Sequence, residues 1–442
     1  MAAHWLACEV ADLCLGKPLL RSISASSTIS EALAEIKASE GNCISIWSCD
    51  YNEINSNNLM NDEKKDCICI GKLCMVDVIC YLCKEDNFCS PSLSLKAPVS
   101  TLLPKLTCFV KHVEPSTSLL EATDIMLQGV HNIVIPIKSK VSSNSRRKQF
   151  QKSSSCTQTN HNGIEFCWLA QEDVIRFLLN SIGFFSPIPT LSIEDLDIIA
   201  TDILAIGYNS LASSAVEAIS CSLSRQTSVA VVDDCGTLIG EISPSTLACG
   251  DETISAAIMT LSAGDLIAYI DCGSPAEEIM NVAKSRLKDM NLEGILEEFE
   301  VGDSNSTASF SSSDEELPSP KTTLISPKPV SRHGRSSSYS ARMLRTAEAI
   351  VCHPWSSLVA VMIQAIAHRL NYVWVIEEDY SVVGIVTFAS ILGILRDYFE
   401  SLLCRISPTT SVLFSSLSLD SKSLQHRTLF SFGGLFLVVL LV

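Results

Sequence analysis

The sequence predicts a mixed α/β (α+β) protein built from four copies of one strand-helix-strand-strand-helix unit, taken as two pairs, with polar insertions. Three observations predict it. The apolar fraction is 47% and the aromatic fraction 6%, a balance resting on Ile, Leu, Val and Ala that suits alternating helices and strands rather than a fibrous or wholly disordered chain. One stretch, 354–395, spells the unit out. Ser356 and Ser357 precede a helix in which Leu358, Val361, Met362, Ala365 and Ile366 recur at three- and four-residue steps; Tyr372 to Ile376 is aromatic and β-branched; Glu377 to Ser381 is a polar turn; Val382 to Phe388 is a second strand; and Ser390 to Phe399 has helical spacing again. Finally, the spacing recurs. Pro115 to Asn132 and Pro354 to Asn371 both span 17 positions (132 − 115 = 371 − 354 = 17), each Asn standing just before an apolar strand, as duplication requires. A two-stranded ribbon cannot bury both of its faces, so the unit needs copies of itself.

Taken in order, Val10 to Pro18 is a lead-in, Ile29, Leu33 and Ile36 mark a first helix, Cys43 to Trp47 and Cys67 to Met75 are strands around a polar excursion at 50–66, and Val76 to Cys83 starts a helix. In the second copy Cys108 to Val113 is a strand, Leu119 to Met126 a helix, and Ile133 to Ile137 and Phe166 to Ala170 strands, followed by a helix from Glu172 to Ile182. Between those strands, Ser139 to His161 is Ser-rich, carries Arg146, Arg147 and Lys148, and is expected to be a mobile loop. The third copy has a helix at Ser213 to Leu223, strands at Ser228 to Val232 and Leu238 to Ile242, and the turn Asp233 to Gly236, with helices expected over 251–299. Low apolar content and abundant Ser and Pro make 301–345 a disordered insertion. Its Ser311 to Glu316 and Arg335 to Ser338 have flanks that kinases favour, although a solvated linker accounts for both. The expected divisions are 10–90, 91–186, 196–300 and 346–400 for the repeats, and 401–442 for an atypical tail ending in the apolar run Leu429 to Val442. That run is shorter than the roughly 20 residues of a membrane span. It makes a membrane association unexpected unless it serves as an anchor.

The net charge of −17 lacks the basic footprint of phosphate-backbone binding, so no nucleic acid is expected as a partner. The N-terminus has no basic region and is broken by Glu9 and Asp12, which predicts an intracellular, cytoplasmic chain with reduced cysteines. Cys67 and Cys69, or Cys80 and Cys83, are not matched by a second pair at zinc-ribbon spacing, so spacing assigns no metal. His112, His131, His353 and His368 fall on different elements and form no local cluster, and the local marks of hydrolases, nucleotide triphosphatases and zinc proteases are absent. No catalytic residue and no enzyme activity is therefore expected.

Each copy ends in a run that enters a helix from the second hairpin strand: GKLCMVDVI, CWLAQEDVI, GEISPSTLA and GIVTFASIL. With the four-copy order, these endings resemble CBS domains, pairs of which form the Bateman module, and the whole pattern is most similar to the four-repeat plant CBSX group. In that family the ending reads Gly-h-h-Thr/Ser-x-x-Asp, the hydroxyl meeting phosphate and the Asp holding the ribose of an adenosine nucleotide. The resemblance implies ligand contacts at Asp77 and Asp173 in the first pair and at Ser243 and Thr387 in the second. Cys74 and Ala170 replace the hydroxyl residue in the first pair, Cys167 replaces the Gly, and Thr246 and Ser390 replace the Asp in the second. No repeat carries the complete motif. The implied ligands are AMP, ADP, ATP or S-adenosylmethionine, and the implied role is a regulatory sensor that acts on a partner protein, with self-association through the modules. Each of the four residues also fits plain helix capping, which leaves an interaction scaffold with vestigial clefts as the other reading.

Overall fold

A parallel pair followed by an antiparallel return, carrying a helix after its first strand and another after its last, is the architecture the chain adopts four times. The computed structural model describes residues 8–39, 43–49, 67–103, 110–137, 159–161, 163–271, 277–290, 292, 295 and 348–406. The expected insertion at 301–345 and the apolar run Leu429 to Val442 lie outside the described residues. Residues Met1–Leu392 cluster as one unit and Gly393–Val442 as another.

In the first repeat, β1 (Ser22–Ser24) pairs parallel with β2 (Cys43–Ser48), which pairs antiparallel with β3 (Ile68–Cys74). The second repeats this order with β4 (Val110–His112), β5 (Asn132–Ile137) and β7 (Ile164–Ala170), and adds β6 (Asn160–His161) at the outer edge of β7. The third uses β8 (Leu204–Gly207), β9 (Val229–Val232) and β10 (Leu238–Ile242). The fourth uses β11 (Val351–Cys352), β12 (Tyr372–Ile376) and β13 (Val382–Thr387). Two sequence expectations shift here. The loop read as ending at His161 closes instead in strand β6, where His161 is only 5% exposed. The 17-residue register also slips by one: Asn132 opens β5 opposite Ala170, whereas Tyr372, not Asn371, opens β12 opposite Thr387.

Helix α1 (Val10–Leu13) belongs to the lead-in. The repeat helices are α2 (Ile29–Ala38), α3 (Met75–Leu82), α4 (Leu119–Leu127), α5 (Gln171–Asn180), α6 (Val216–Arg225) and α7 (Pro244–Leu247). The expected helical extension resolves into α8 (Ile254–Thr260), α9 (Ala263–Asp271) and α10 (Glu277–Asp289). The last repeat has α11 (Leu358–His368) and α12 (Phe388–Ile406), the latter passing the expected boundary at 400 and carrying an Arg396–Glu400 pair at 3.1 Å. Thr28 caps α2 by accepting the Glu31 N–H at 3.2 Å while the Glu31 carboxylate accepts the Thr28 N–H at 2.9 Å, a reciprocal box that fixes where the helix starts. A single apolar cluster joins repeats one and three, with Ile36, Ile79 and Leu82 against Ile219, Leu247 and Leu266, all buried. Helix α11 of the fourth repeat packs on α5 of the second.

Pairing is reciprocal. The residue before the first helical turn of every repeat bridges the segment leading into its partner: Ser118 with Glu9, Thr28 with Pro98, Ser357 with Ser192 and, ahead of the 3₁₀ turn Ala212–Ala215 that leads into α6, Leu211 with Ser262. The bonds correspond atom for atom. Val10 and Ala11 donate to the Thr117 and Pro115 carbonyls at 2.9 and 3.1 Å, and Ile193 and Glu194 donate to those of Ser356 and Pro354 at 3.0 and 3.1 Å. Repeats one and two thus form one module, and three and four the other.

Within each module the two sheets meet through equivalent positions of opposite chemistry. In the first, Lys72 donates to the Asn132 side-chain oxygen at 3.0 Å and lies over the Trp168 ring. In the second, Glu241 takes the place of Lys72 and Tyr372 that of Asn132 (Lys72 precedes the N-cap residue Cys74 by two positions, Glu241 precedes Ser243 by two). Glu241 is 3% exposed; it accepts the Tyr372 hydroxyl at 3.0 Å and the Trp374 indole N–H at 2.7 Å. Burial raises its carboxyl above the ordinary value, against the hydrogen bonds from Trp374 and Tyr372. Gly384 of β13 permits the close approach of the second lead-in: a Cβ there would stand 2.5 Å from the Ala200 carbonyl oxygen and 2.7 Å from the Ile199 side chain.

Three outcomes follow from this packing. Gly384→Ala forces the lead-in off β13 and is expected to cost about 1–3 kcal/mol, read as a lower urea midpoint. Tyr372→Phe leaves the buried Glu241 one donor short and is expected to cost about 1–3 kcal/mol in the same assay. A carboxyl whose folded value lies above its unfolded value of about 4.3 contributes stability that is full below that value and is lost as pH rises through the folded one. Glu241→Gln removes this contribution, so urea midpoints of the variant minus those of the parent should rise with pH upward from about 4.3, and a flat difference would show that Glu241 titrates as it does unfolded.

Candidate ligand clefts

The four motif residues all sit where the last strand of a repeat turns into a helix, because each is the N-cap or third residue of that helix. In the first repeat, Asp77 Oδ2 accepts the Cys74 N–H at 2.8 Å and the Cys74 thiol at 3.0 Å. Burial, and then the Asp77 carboxylate, push that thiol well above its ordinary value, so it stays protonated and donates. In the second, Asp173 Oδ2 accepts the Ala170 N–H at 2.7 Å. In the fourth, Thr387 and Ser390 form a neutral version of the same box: the Ser390 hydroxyl accepts the Thr387 N–H at 3.1 Å and the Thr387 hydroxyl accepts the Ser390 N–H at 3.2 Å. Ser243 is 1% exposed, accepts the Ser245 N–H at 3.2 Å and shares a hydrogen bond with the Tyr372 hydroxyl oxygen at 3.1 Å. The capping contribution of all four is therefore visible, and Ser243 is enclosed by the joint between the two sheets.

Around Asp173 the structure adds a residue that the motif did not include. Lys17, from the lead-in of the first repeat, pairs its ammonium with Asp173 Oδ2 and donates to the Trp168 carbonyl at 2.8 Å. Both side chains remain partly exposed, at 20% and 23%. Lys17 corresponds to Ala200 of the other lead-in, since each lies seven positions past the first docked residue (17 − 10 = 200 − 193 = 7). Ala200 reaches the equivalent carbonyl, that of Ile385, through its own backbone N–H at 2.9 Å. The physical reason is the residue facing it. Gly384 admits the Ala200 backbone, whereas the second repeat has Cys167 at that position, and the longer lysine side chain makes the contact instead. Beside it Cys14 and Cys167 share a thiol hydrogen bond, which lowers the Cys14 thiol with help from Lys17 and against burial, and raises that of Cys167.

The first module thus has a partly exposed cation and carboxylate at the start of α5 and a second carboxylate at the start of α3. The second holds neutral hydroxyls and a lead-in strand bonded in both directions between Ala200 and Ile385 at 2.9 Å. A single Lys in the lead-in was the available sequence signal for Lys17; Glu241 and Tyr372 gave none, because their pairing spans 131 positions. Of the histidines, His112 lines the sheet joint, accepting the Cys69 N–H at 2.9 Å against the Trp47 ring. Burial lowers both it and His131, the latter to about 4 with Lys72 adding to the effect. Among the described residues no helix is long and apolar enough to cross a membrane.

No protein-family model matches the chain. Two Arabidopsis thaliana proteins match nearly all of it: CBS domain-containing protein CBSX5 is 46% identical over 410 residues, covering 91% of this chain and all of the relative, and CBSX6 is 28% identical over 428 residues, covering 89% and 94%. An Arabidopsis SNF1-related protein kinase regulatory subunit gamma-like protein, PV42b, is 20% identical over 333 residues, covering 74% and 75%. Among solved structures, a Methanocaldococcus jannaschii protein covers 87% of this chain and 99% of its own at 13% identity with a TM-score of 0.47. A CBS domain from a Sphaerobacter thermophilus membrane protein covers 50% and 97% at 16% identity with a TM-score of 0.23. Four parallel-then-antiparallel sheets in two reciprocally docked pairs, together with the 46% identity to CBSX5, mean that the chain belongs to the plant CBSX group of CBS domain-containing proteins.

Proposed function

We propose that this chain is a non-enzymatic regulatory protein in which the first module senses an adenosine-containing ligand and the second serves as a structural half. The observation that carries the reading is the Lys17–Asp173 pair at the start of α5. A carboxylate there can accept two hydrogen bonds from vicinal ribose hydroxyls, and the N–H groups of the helix start, with the Lys17 ammonium, can receive phosphate. The ligand has to exchange Lys17 from carboxylate to phosphate. Because Lys17 lies on the lead-in that docks against the second repeat through Val10 and Ala11, that exchange biases how the lead-in sits, and a partner that reads the lead-in is regulated by the difference in affinity between the two arrangements. A relative named as a kinase regulatory subunit fits a role exerted on a protein partner.

The second module lacks this chemistry. Ser243 is enclosed by Tyr372, and Ser390 stands where the family has the ribose-binding Asp, its hydroxyl already used on Thr387. The scaffold reading, with both clefts vestigial, draws on the caps that occupy Asp77 and Asp173.

Calorimetric titration of the full chain with AMP, ADP, ATP and S-adenosylmethionine separates the two. Sensing predicts saturable binding of at least one ligand, weakened about 10- to 100-fold by Asp173→Ala, and unchanged by Thr387→Ala. Absence of heat and of any thermal shift at millimolar ligand contradicts sensing and leaves the scaffold.

A further inference from the structure

Away from the clefts, the outer end of the joint between the first two sheets gathers Cys49, Cys67 and His161, whose sulfur and nitrogen ligand atoms all lie within 4.8 Å of one another. Their positions follow from strand geometry. The β2–β3 register runs Trp47 opposite Cys69 and Ser48 opposite Ile68, and one further step puts Cys49 opposite Cys67. The third member comes from the other repeat: His161 lies in the short edge strand β6. Its Nδ1 is 3.5 Å from the Cys49 sulfur, while its Nε2 meets the buried Ser22 hydroxyl at 2.8 Å. The ring stacks on Trp47 at 3.6 Å and 7°, so its orientation is held from one side by the indole and from its far nitrogen by Ser22.

We propose that Cys49, Cys67 and His161 form a structural zinc site that staples the first repeat to the second. The donor set is two thiolates and one imidazole, which suits a borderline-soft divalent ion with tetrahedral preference. Zn–S bonds of about 2.3 Å and Zn–N of about 2.0 Å at tetrahedral angles put the ligand atoms roughly 3.5–3.8 Å apart, and the Cys49–His161 separation of 3.5 Å already meets that. Each thiol releases its proton on ligation, so two protons leave as one dication enters and the local charge is unchanged. The fourth position falls to water or a further donor. Ser22 is a positioning residue: its bond to Nε2 leaves Nδ1 to face the sulfurs, as partners beyond the metal ligands commonly do. Cys-to-Cys spacing along the chain could not reveal the site, because two members flank the ends of β2 and β3 and the third stands on β6 of the other repeat.

The test uses the full chain, reduced, stripped with chelator and titrated with Co²⁺ and then Zn²⁺. One equivalent of Co²⁺ should give thiolate-to-cobalt charge-transfer absorption and the strong d–d bands of a tetrahedral site, bleached by Zn²⁺, and Zn²⁺ should raise the melting temperature. Cys67→Ser and His161→Ala should each abolish the spectrum, Ser22→Ala should weaken Co²⁺ about 10-fold or more, and Cys235→Ser, an exposed cysteine in the third repeat, should leave it unchanged. If His161→Ala fails to fold by circular dichroism, Cys67→Ser decides alone. No cobalt spectrum, a spectrum that survives Cys67→Ser, or a Cys49–Cys67 disulfide that forms in place of metal uptake would each overturn the proposal.

Discussion

Backbone exchange at the start of each repeat's first helix is the constraint on which the rest of this protein depends. A small sheet with a helix after each end strand leaves edges and apolar surface uncovered. Here the edge next to each helix start is closed by the segment leading into the partner repeat, as at Ser118 with Glu9 and Ser357 with Ser192. Since each repeat lends a segment and borrows one, neither is complete without the other. The order of the chain then determines the pairs, and the packing of α3 with α6 and of α5 with α11 joins them.

On this shared frame the two modules have taken different chemistries at matching positions. The first joins its sheets by Lys72 and Asn132 and closes its lead-in by a lysine side chain, contacts that water can reach and that can be exchanged at small cost. The second uses Glu241 with Tyr372 and Trp374, all buried, and a lead-in bonded by its backbone over a glycine. A buried carboxylate with every donor in place is costly to disturb. This contrast supports the proposed division, in which the first module responds to a ligand and the second holds its shape.

Much of the frame was legible in residue order. The turn-bounded apolar runs Leu238 to Ile242 and Tyr372 to Ile376, the latter aromatic and β-branched, mark those strands to the residue. The one-residue slip between Asn132 and Tyr372 was not legible, since α4 and α11 differ in length while their starts coincide. The same limit applies to the clefts. The motif placed Asp77, Asp173, Ser243 and Thr387 at strand-to-helix turns, yet it could not tell that Lys17 meets one of them or that Tyr372 covers another. Both facts depend on contacts across more than 100 positions. A cap and a ligand contact also use the same atoms of the same residue, so sequence alone leaves that choice open.

Hydrogen exchange followed by mass spectrometry, with and without a bound adenosine nucleotide, addresses the division of labour between the modules. The account predicts that ligand alters the protection of the first lead-in, around Val10 to Leu20, and of the strand at Phe166 to Ala170 that it touches. It also predicts unchanged protection at Leu191 to Ile203 and along β13. Equal changes in both modules, or changes confined to the second, would contradict it.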